Sequence, residues 1–308
     1  MRKIGGVLAL AAVLLSTLVA PARADTVTIS PTSQITFDNS NVQHVRFDGL
    51  NRAWIWNSVG NEDDPSTTPR LAIFAKVSGS WTRVQTVATK KLTLENLRIG
   101  PDGTAYLVNP NKNEIVTFPV DEAGVVGKTK RIRLKGRQSP IDAFPNSAGH
   151  LFVLYSSRIM EFSLPLAKHP RPIRTVTSDF GDSRKLVASA DGTIFALQGE
   201  YQPILVFAAG VSGSVDPSRT LLIDSALAGL QLPTDIAVTP TGKIAVVYWL
   251  NGVAIFEPES FGSSVTPTTW YPVNDPLSNP QGVDFMPSGV MGVADYGEAA
   301  AVKVYFED

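Results

Sequence analysis

The apolar positions of this chain fall into short runs, each closed by Gly, Asn or Pro, and the same succession of runs returns six times. One copy consists of an apolar stretch, a tight turn, a second apolar stretch and a third run ending in Phe. The turns are anchored at Asn51 in VRFDGLNRAWIW, Gly103 in LRIGPDGTAYLV, Gly149 in IDAFPNSAGHLFVL, Gly192 in LVASADGTIFAL, Gly242 in IAVTPTGKIAVV and Gly289 in VDFMPSGVMGVA, with spacings of 52, 46, 43, 50 and 47 residues. Gly and Asn accept the positive φ that a tight hairpin turn needs. The third run ends at Phe74, Phe118, Phe162, Phe207, Phe256 and Phe306, so six of the fourteen Phe residues share one position of the repeat.

A fourth strand follows in the first five copies, as TRVQTV, TKRIRL, PIRTV, SRTLLI and TTWYPV. Units of four short strands at this period predict an all-β six-bladed β-propeller with four-stranded blades. The blades are expected to start near residues 41, 92, 139, 183, 233 and 280. Runs such as IAVVYW are apolar on both faces, which fits sheets packed between neighbouring blades. Helical signals are weak, with one short turn expected in DSALAGLQL. The sixth copy has no fourth strand of its own. Residues 26–37, TVTISPTSQITF, are expected to supply it, closing the ring between the two ends of the chain and explaining why the chain stops at Asp308.

Composition adds a destination. Arg2 and Lys3 precede an apolar run from Val7 to Ala20, followed by Pro21 and the triplet Ala22, Arg23, Ala24. This is the pattern of a secretory signal over residues 1–24, cut after Ala24, leaving a single propeller domain over 25–308. Without Arg2, Lys3 and Arg23, the 27 basic residues fall to 24 against 28 acidic ones, a net charge of about −4 that does not point to nucleic acid. With no cysteine, disulfides, thiolate metal sites and Cys nucleophiles are excluded. The expectation is an exported monomer, periplasmic or secreted, held together by packing alone and with no later transmembrane segment.

The stretch LPTDIAVTPTGKIAVV…GVAIF, with its partner NPQGVDFMPSGVMGVA…VKVYF, resembles the NHL-type repeat: a Pro, an apolar triplet, a Gly turn, a strand and a closing Ile-x-Val-Phe. Val206–Ile223, VFAAGVSGSVDPSRTLLI, looks like the connection between third and fourth strands in exported bacterial propellers of that group. The first blade, with its insert NSVGNEDDPSTTPR, and the fourth, which lacks the Pro, depart from the pattern. The resemblance implies a propeller distantly related to gluconolactonase-like lactonases and streptogramin lyases. It does not select among binding, scaffolding and enzymatic roles.

Seven residues before each turn anchor stand His44, Asn96, Asp142, Lys185, Asp235 and Gly282, with Asp284 two residues further along in the sixth blade. Five of the six are polar in an otherwise apolar repeat. They form either a ligand-facing ring at a channel mouth or a set of strand starts that are polar because they meet solvent. Lactonases of this broad class hold a divalent cation with Glu, Asn and Asp. Asn96, Asp142 and Asp235, with Glu95 adjacent, match that set in residue type only, so no cofactor is expected, with a Ca²⁺-type ion as the alternative.

Motifs for a serine nucleophile elbow, a zinc protease and a phosphate loop are absent, and VSGSW and VSGSV read as turns. His150 follows a turn glycine and His169 lies in the Pro-rich AKHPRP. Lys128, Lys130, Arg131, Arg133, Lys135 and Arg137 line a predicted outermost strand, either as a patch for an anionic polymer or as charge guarding a sheet edge. Glu62, Asp63 and Asp64 form an acidic insert, read as a solvated loop. Trp54 and Trp56 share one face of their strand, for stacking on a ligand or for core packing. The function expected is a binding module for a protein, a glycan or a small polar ligand. The alternatives are a metal-dependent lactone hydrolase or lyase at the channel, and a structural protein docked through its basic strand.

Overall fold

A computed structural model of the chain describes residues 25–26, 30–36, 42–57, 70–88, 95–121, 124–136, 138–199, 204–221, 232–249, 252–258, 269–272, 279–296 and 301–306. The expected signal, the acidic insert and nearly all of DSALAGLQL lie outside these residues. The described chain forms six sheets, each built on four antiparallel strands. Their inner strands are Val42–Phe47, Glu95–Ile99, Asp142–Pro145, Lys185–Ala188, Pro233–Val238 and Pro280–Phe285. Each is paired with the next strand of its own blade. The chain is thus a six-bladed propeller. No helix among the described residues is long and apolar enough to cross a membrane.

The repeat seen in the sequence is a repeat of backbone hydrogen bonds. In each blade the inner hairpin closes when the anchor residue donates to the carbonyl three positions back, as Asn51 does to Asp48, Gly103 to Gly100 and Gly242 to Thr239. All six anchors have positive φ, from 55° at Asn51 to 95° at Gly289. This is the geometry of a tight turn ending in a left-handed residue, and it explains why Gly recurs there.

Packing is between blades. Trp54, Trp56, Leu71 and Ile73 of the first blade meet Leu97, Leu107, Val116 and Phe118 of the second. Equivalent apolar clusters fill the other five interfaces, including the one between the last blade and the first. Both tryptophans are fully buried, which decides for packing over ligand stacking.

The sixth blade is completed as expected. Ser33–Thr36 pairs antiparallel with Ala301–Tyr305, setting Ile35 opposite Val302. The expected strand over 26–37 is, however, divided. Asp25–Thr26 instead pairs parallel with Thr269–Pro272, the outer strand of the fifth blade. Pro31 lies between the two segments and has no N–H to give to a ladder.

Two further expectations are corrected. The repeating aromatic position of the last blade belongs to Tyr305, not Phe306. Tyr305 stands opposite Met291, the place that Phe256 holds opposite Ile244 and Phe74 opposite Ala53. Phe306 lies past the strand end with φ 61°, is exposed, and packs edge-on to Tyr271 at 5.5 Å. Within VSGSV, Gly213–Ser214 is not only a turn. It adds a short parallel strand to Arg174–Thr177 and covers the open edge of the third blade. The basic run behaves as expected: Lys130–Arg133 is the outermost strand of the second blade, with Ile132 inward and its neighbours exposed.

Candidate functional site

The inner strands run side by side around the axis, so side chains at one offset meet at one depth. The six sequence-selected residues therefore occupy two levels. Five of them share the level at which the inner strands begin, and of these Asp142 and Asp235 are fully buried. His44, Asn96 and Lys185, in the same ring, are each 7–8% exposed. Asp284, further along its strand, faces the opposite end, where the inner strands finish. The solvent-exposed reading of these strand starts is therefore overturned.

Two arginines that the seven-residue count passes over organise this region. Arg46 of the first blade donates from Nε to the Leu97 carbonyl at 3.0 Å and from Nη1 to the carbonyls of Val45 and Val283 at 2.7 and 2.9 Å. Its Nη2 lies 2.7 Å from Asp235. Arg98 of the second blade donates from Nη2 to Asp142 at 2.9 Å and reaches the Ile236 and Leu186 carbonyls at 3.3 and 3.4 Å. It stands 3.6 Å from Asp235. Together the two guanidinium groups touch all six blades. Charged groups out of water have to be paired and hydrogen-bonded, and here the pairing plugs the channel.

The carboxylates add a second set of links. Asp142 accepts from the amide of Leu186 at 2.9 Å, Asp235 from that of Val283 at 3.1 Å and Asp284 from that of Phe47 at 2.7 Å. Each aspartate thus ties its own blade to the next. Burial alone would raise the carboxyl of Asp235, but Arg46 and Arg98 hold it well below the usual range. Burial opposes the charge of Arg98 too, and the neighbouring Asp142 and Asp235 outweigh it, raising the guanidinium further. For Asp284 burial prevails and pushes the carboxyl up.

At the strand-start end, Lys185 donates from Nζ to Asn96 Oδ1, and Asn96 Nδ2 donates to the Ile141 carbonyl at 2.9 Å. Burial lowers the Lys185 ammonium to about 8. Burial, with the charge of Lys185 added, takes the His44 imidazole well below its ordinary value and keeps it neutral. At the opposite end the plug forms the floor of a bowl of about 560 Å³. Arg46, Arg98 and Asp284 make the floor, and Phe47, Phe144 and Phe285 the wall. Pro101, Pro145, Pro240 and Pro287 contribute to the rim. Arg98 lies over the Phe144 ring at 5.6 Å.

Three members of the lactonase-like cation set are engaged with other groups, and the side chain of Glu95 lies outside those described. Asp142 and Asp235 are committed to guanidinium groups and amides, and the Asn96 oxygen already faces an ammonium. No group of three or more His, Asp or Glu positioned for a metal occurs among the described residues. His150, set aside in the sequence, pairs through Nδ1 with Glu161 at 2.5 Å, and Glu161 also takes Arg174. The missed arginines did leave a signal. Arg46, Arg98 and Asp284 all stand five residues before an anchor, charged within otherwise apolar strands.

No family model matches the chain, and no curated protein matches its sequence. Solved structures do match in fold. A catalytically inactive histidine-to-alanine variant of virginiamycin B lyase from Staphylococcus aureus with quinupristin superimposes with a TM-score of 0.57 at 13% identity, covering 89% of this chain and 99% of that one. A streptogramin B lyase structure gives 0.57 at 10% identity, covering 88% and 96%. The likeness is one of fold, and it agrees with the distant relation to streptogramin-lyase-like propellers expected from the repeats.

Proposed function

We propose that this chain is an exported binding propeller whose ligand enters the bowl at the ends of the inner strands. The supporting observation is the commitment of the polar groups beneath that bowl. Asp142, Asp235, Arg46 and Arg98 are engaged with one another and with the backbone, and Asp284, the remaining carboxyl of the floor, accepts from the Phe47 amide, so these groups serve the structure of the floor first. The bowl has the volume of a small-molecule site and the usual mixture of apolar wall and a few polar groups at its base. A ligand with an aromatic or aliphatic body and one polar end pointing at the guanidinium floor fits this lining.

The test uses anilinonaphthalene sulfonate, an aromatic body with one anionic group. Saturable one-to-one binding is expected, weakened at least tenfold by Ser147→Trp, which adds bulk at an exposed place on the bowl. Binding that Ser147→Trp leaves unchanged would place the ligand elsewhere. Because the fold neighbours include streptogramin lyases, the same preparation is incubated with quinupristin with and without added Mg²⁺. Turnover of quinupristin would overturn the binding-module reading.

A further inference from the structure

The strand-start end of the channel holds a buried cation whose counter-ion is missing from the described residues. Lys185 is 8% exposed, and its one hydrogen-bond partner among the described residues is the neutral amide oxygen of Asn96. The two buried aspartates nearest to it are occupied: Asp142 by Arg98, and Asp235 by Arg46 with Arg98 further off. Neither comes within ion-pair distance of the ammonium. A buried ammonium is strongly disfavoured unless an anion meets it. Two of its three donor directions are unused by the described residues.

Beside it, His44 is also 8% exposed, and its Nδ1 is buried without a hydrogen-bond partner. Unpartnered buried polar atoms are uncommon in folded proteins and point to a missing group. Two observations of different kinds, an ammonium without a counter-ion and an imidazole nitrogen without a partner, therefore meet at one end of the channel. Asn96 is held in place by its bond to the Ile141 carbonyl and by a backbone φ of 49°, so the amide is a fixed element of the site. The small exposure of all three contrasts with the complete burial of Asp142 and Asp235 in the same ring. Access is from the strand-start end.

We propose that His44, Asn96 and Lys185 form a binding site for a small carboxylate, separate from the bowl at the other end of the plug. One carboxylate oxygen takes Lys185 Nζ, and the group supplies the acceptor that His44 needs if Nδ1 carries the imidazole proton. Carboxylate chemistry of this kind belongs both to free small acids and to the C-terminus of a peptide. The site does not depend on the bowl reading.

The experiment is a titration of the full mature chain with sodium acetate at constant ionic strength, following the imidazole signals of His44 by NMR. A short peptide with a free C-terminus and its amidated form are the second arm. Saturable movement of the His44 signals by acetate is expected, at least tenfold weaker in Lys185→Met and retained in Lys185→Arg. It should be unchanged in Ser147→Trp, which separates this site from the bowl. Preference for the free peptide over its amide, with tighter binding than acetate, identifies a chain terminus as the ligand. Equal binding of acetate and peptide identifies a free small acid. Linear, unsaturable movement in the native chain, or binding that Lys185→Met leaves intact, overturns the proposal without touching the bowl.

Discussion

Lys185 shows what one residue can contribute to the behaviour of the whole. Its ammonium is stabilised in water and disfavoured in the fold, with burial lowering it from 10.5 to about 8. The charges facing it are Asp235 and Asp142, which raise it, and Arg98 and Arg46, which lower it further. Between about pH 8 and 10.5 the unfolded chain holds this proton more often than the folded one, so this residue's contribution to stability rises with pH over that window. The gain is about 3 kcal/mol. Urea unfolding at pH 7.5 and 10.5, in a buffer without carboxylates, checks it. The advantage of Lys185→Met over the native chain should shrink by that amount. An advantage that does not change with pH would mean that the ammonium is solvated. Of the residues involved, Lys185 was recognisable as polar in an apolar repeat, but its lack of a counter-ion was not, because that depends on what Asp142 and Asp235 do elsewhere in the ring.

Among the elements, the closing strand Ser33–Thr36 carries the consequence of greatest reach. Among the described residues it is the one strand of the sixth blade that comes from the other end of the sequence, and Ile35 is its buried anchor, 1% exposed against the first and last blades. Ile35→Ala removes apolar volume from that interface and is expected to destabilise the chain by about 2–5 kcal/mol. Limited proteolysis should then cut first between residues 25 and 36, releasing the N-terminal segment ahead of any blade. Cleavage that begins in another blade would show that the closing strand is not the point at which the ring opens. The strand's existence was legible from the missing fourth strand. Its limits were not, because TVTISPTSQITF is apolar enough to read as one strand. Only the neighbouring outer strand of the fifth blade reveals where Asp25–Thr26 goes.

On the scale of the whole molecule, the arginine plug makes six similar sheets into one body. Arg98 connects the second blade to the third, fourth and fifth, so its loss weakens several interfaces at once. Arg98→Met also leaves Asp142 and Asp235 short of a cation, and removing one partner of a buried ion pair costs about 3–5 kcal/mol. A single urea transition moved to lower midpoint with unchanged slope is the expected result. A shallower or divided transition would show that the blades unfold separately and that the plug does not couple them.

The sequence by itself determined the architecture. Hairpin turns need positive φ, strands need short apolar runs, and both requirements are local, so a sixfold repeat of Gly or Asn anchors and apolar strands leaves few folds open. It also marked the polar positions that converge on the axis. Only the tertiary structure decided what those positions do, because a carboxylate is a ligand, a base or a counter-ion according to which charge stands beside it. Asp142 and Asp235 are separated from Arg98 and Arg46 by 44 and 189 residues of chain, yet both pairs meet within 3 Å. No spacing rule within one blade encodes a contact made across the ring.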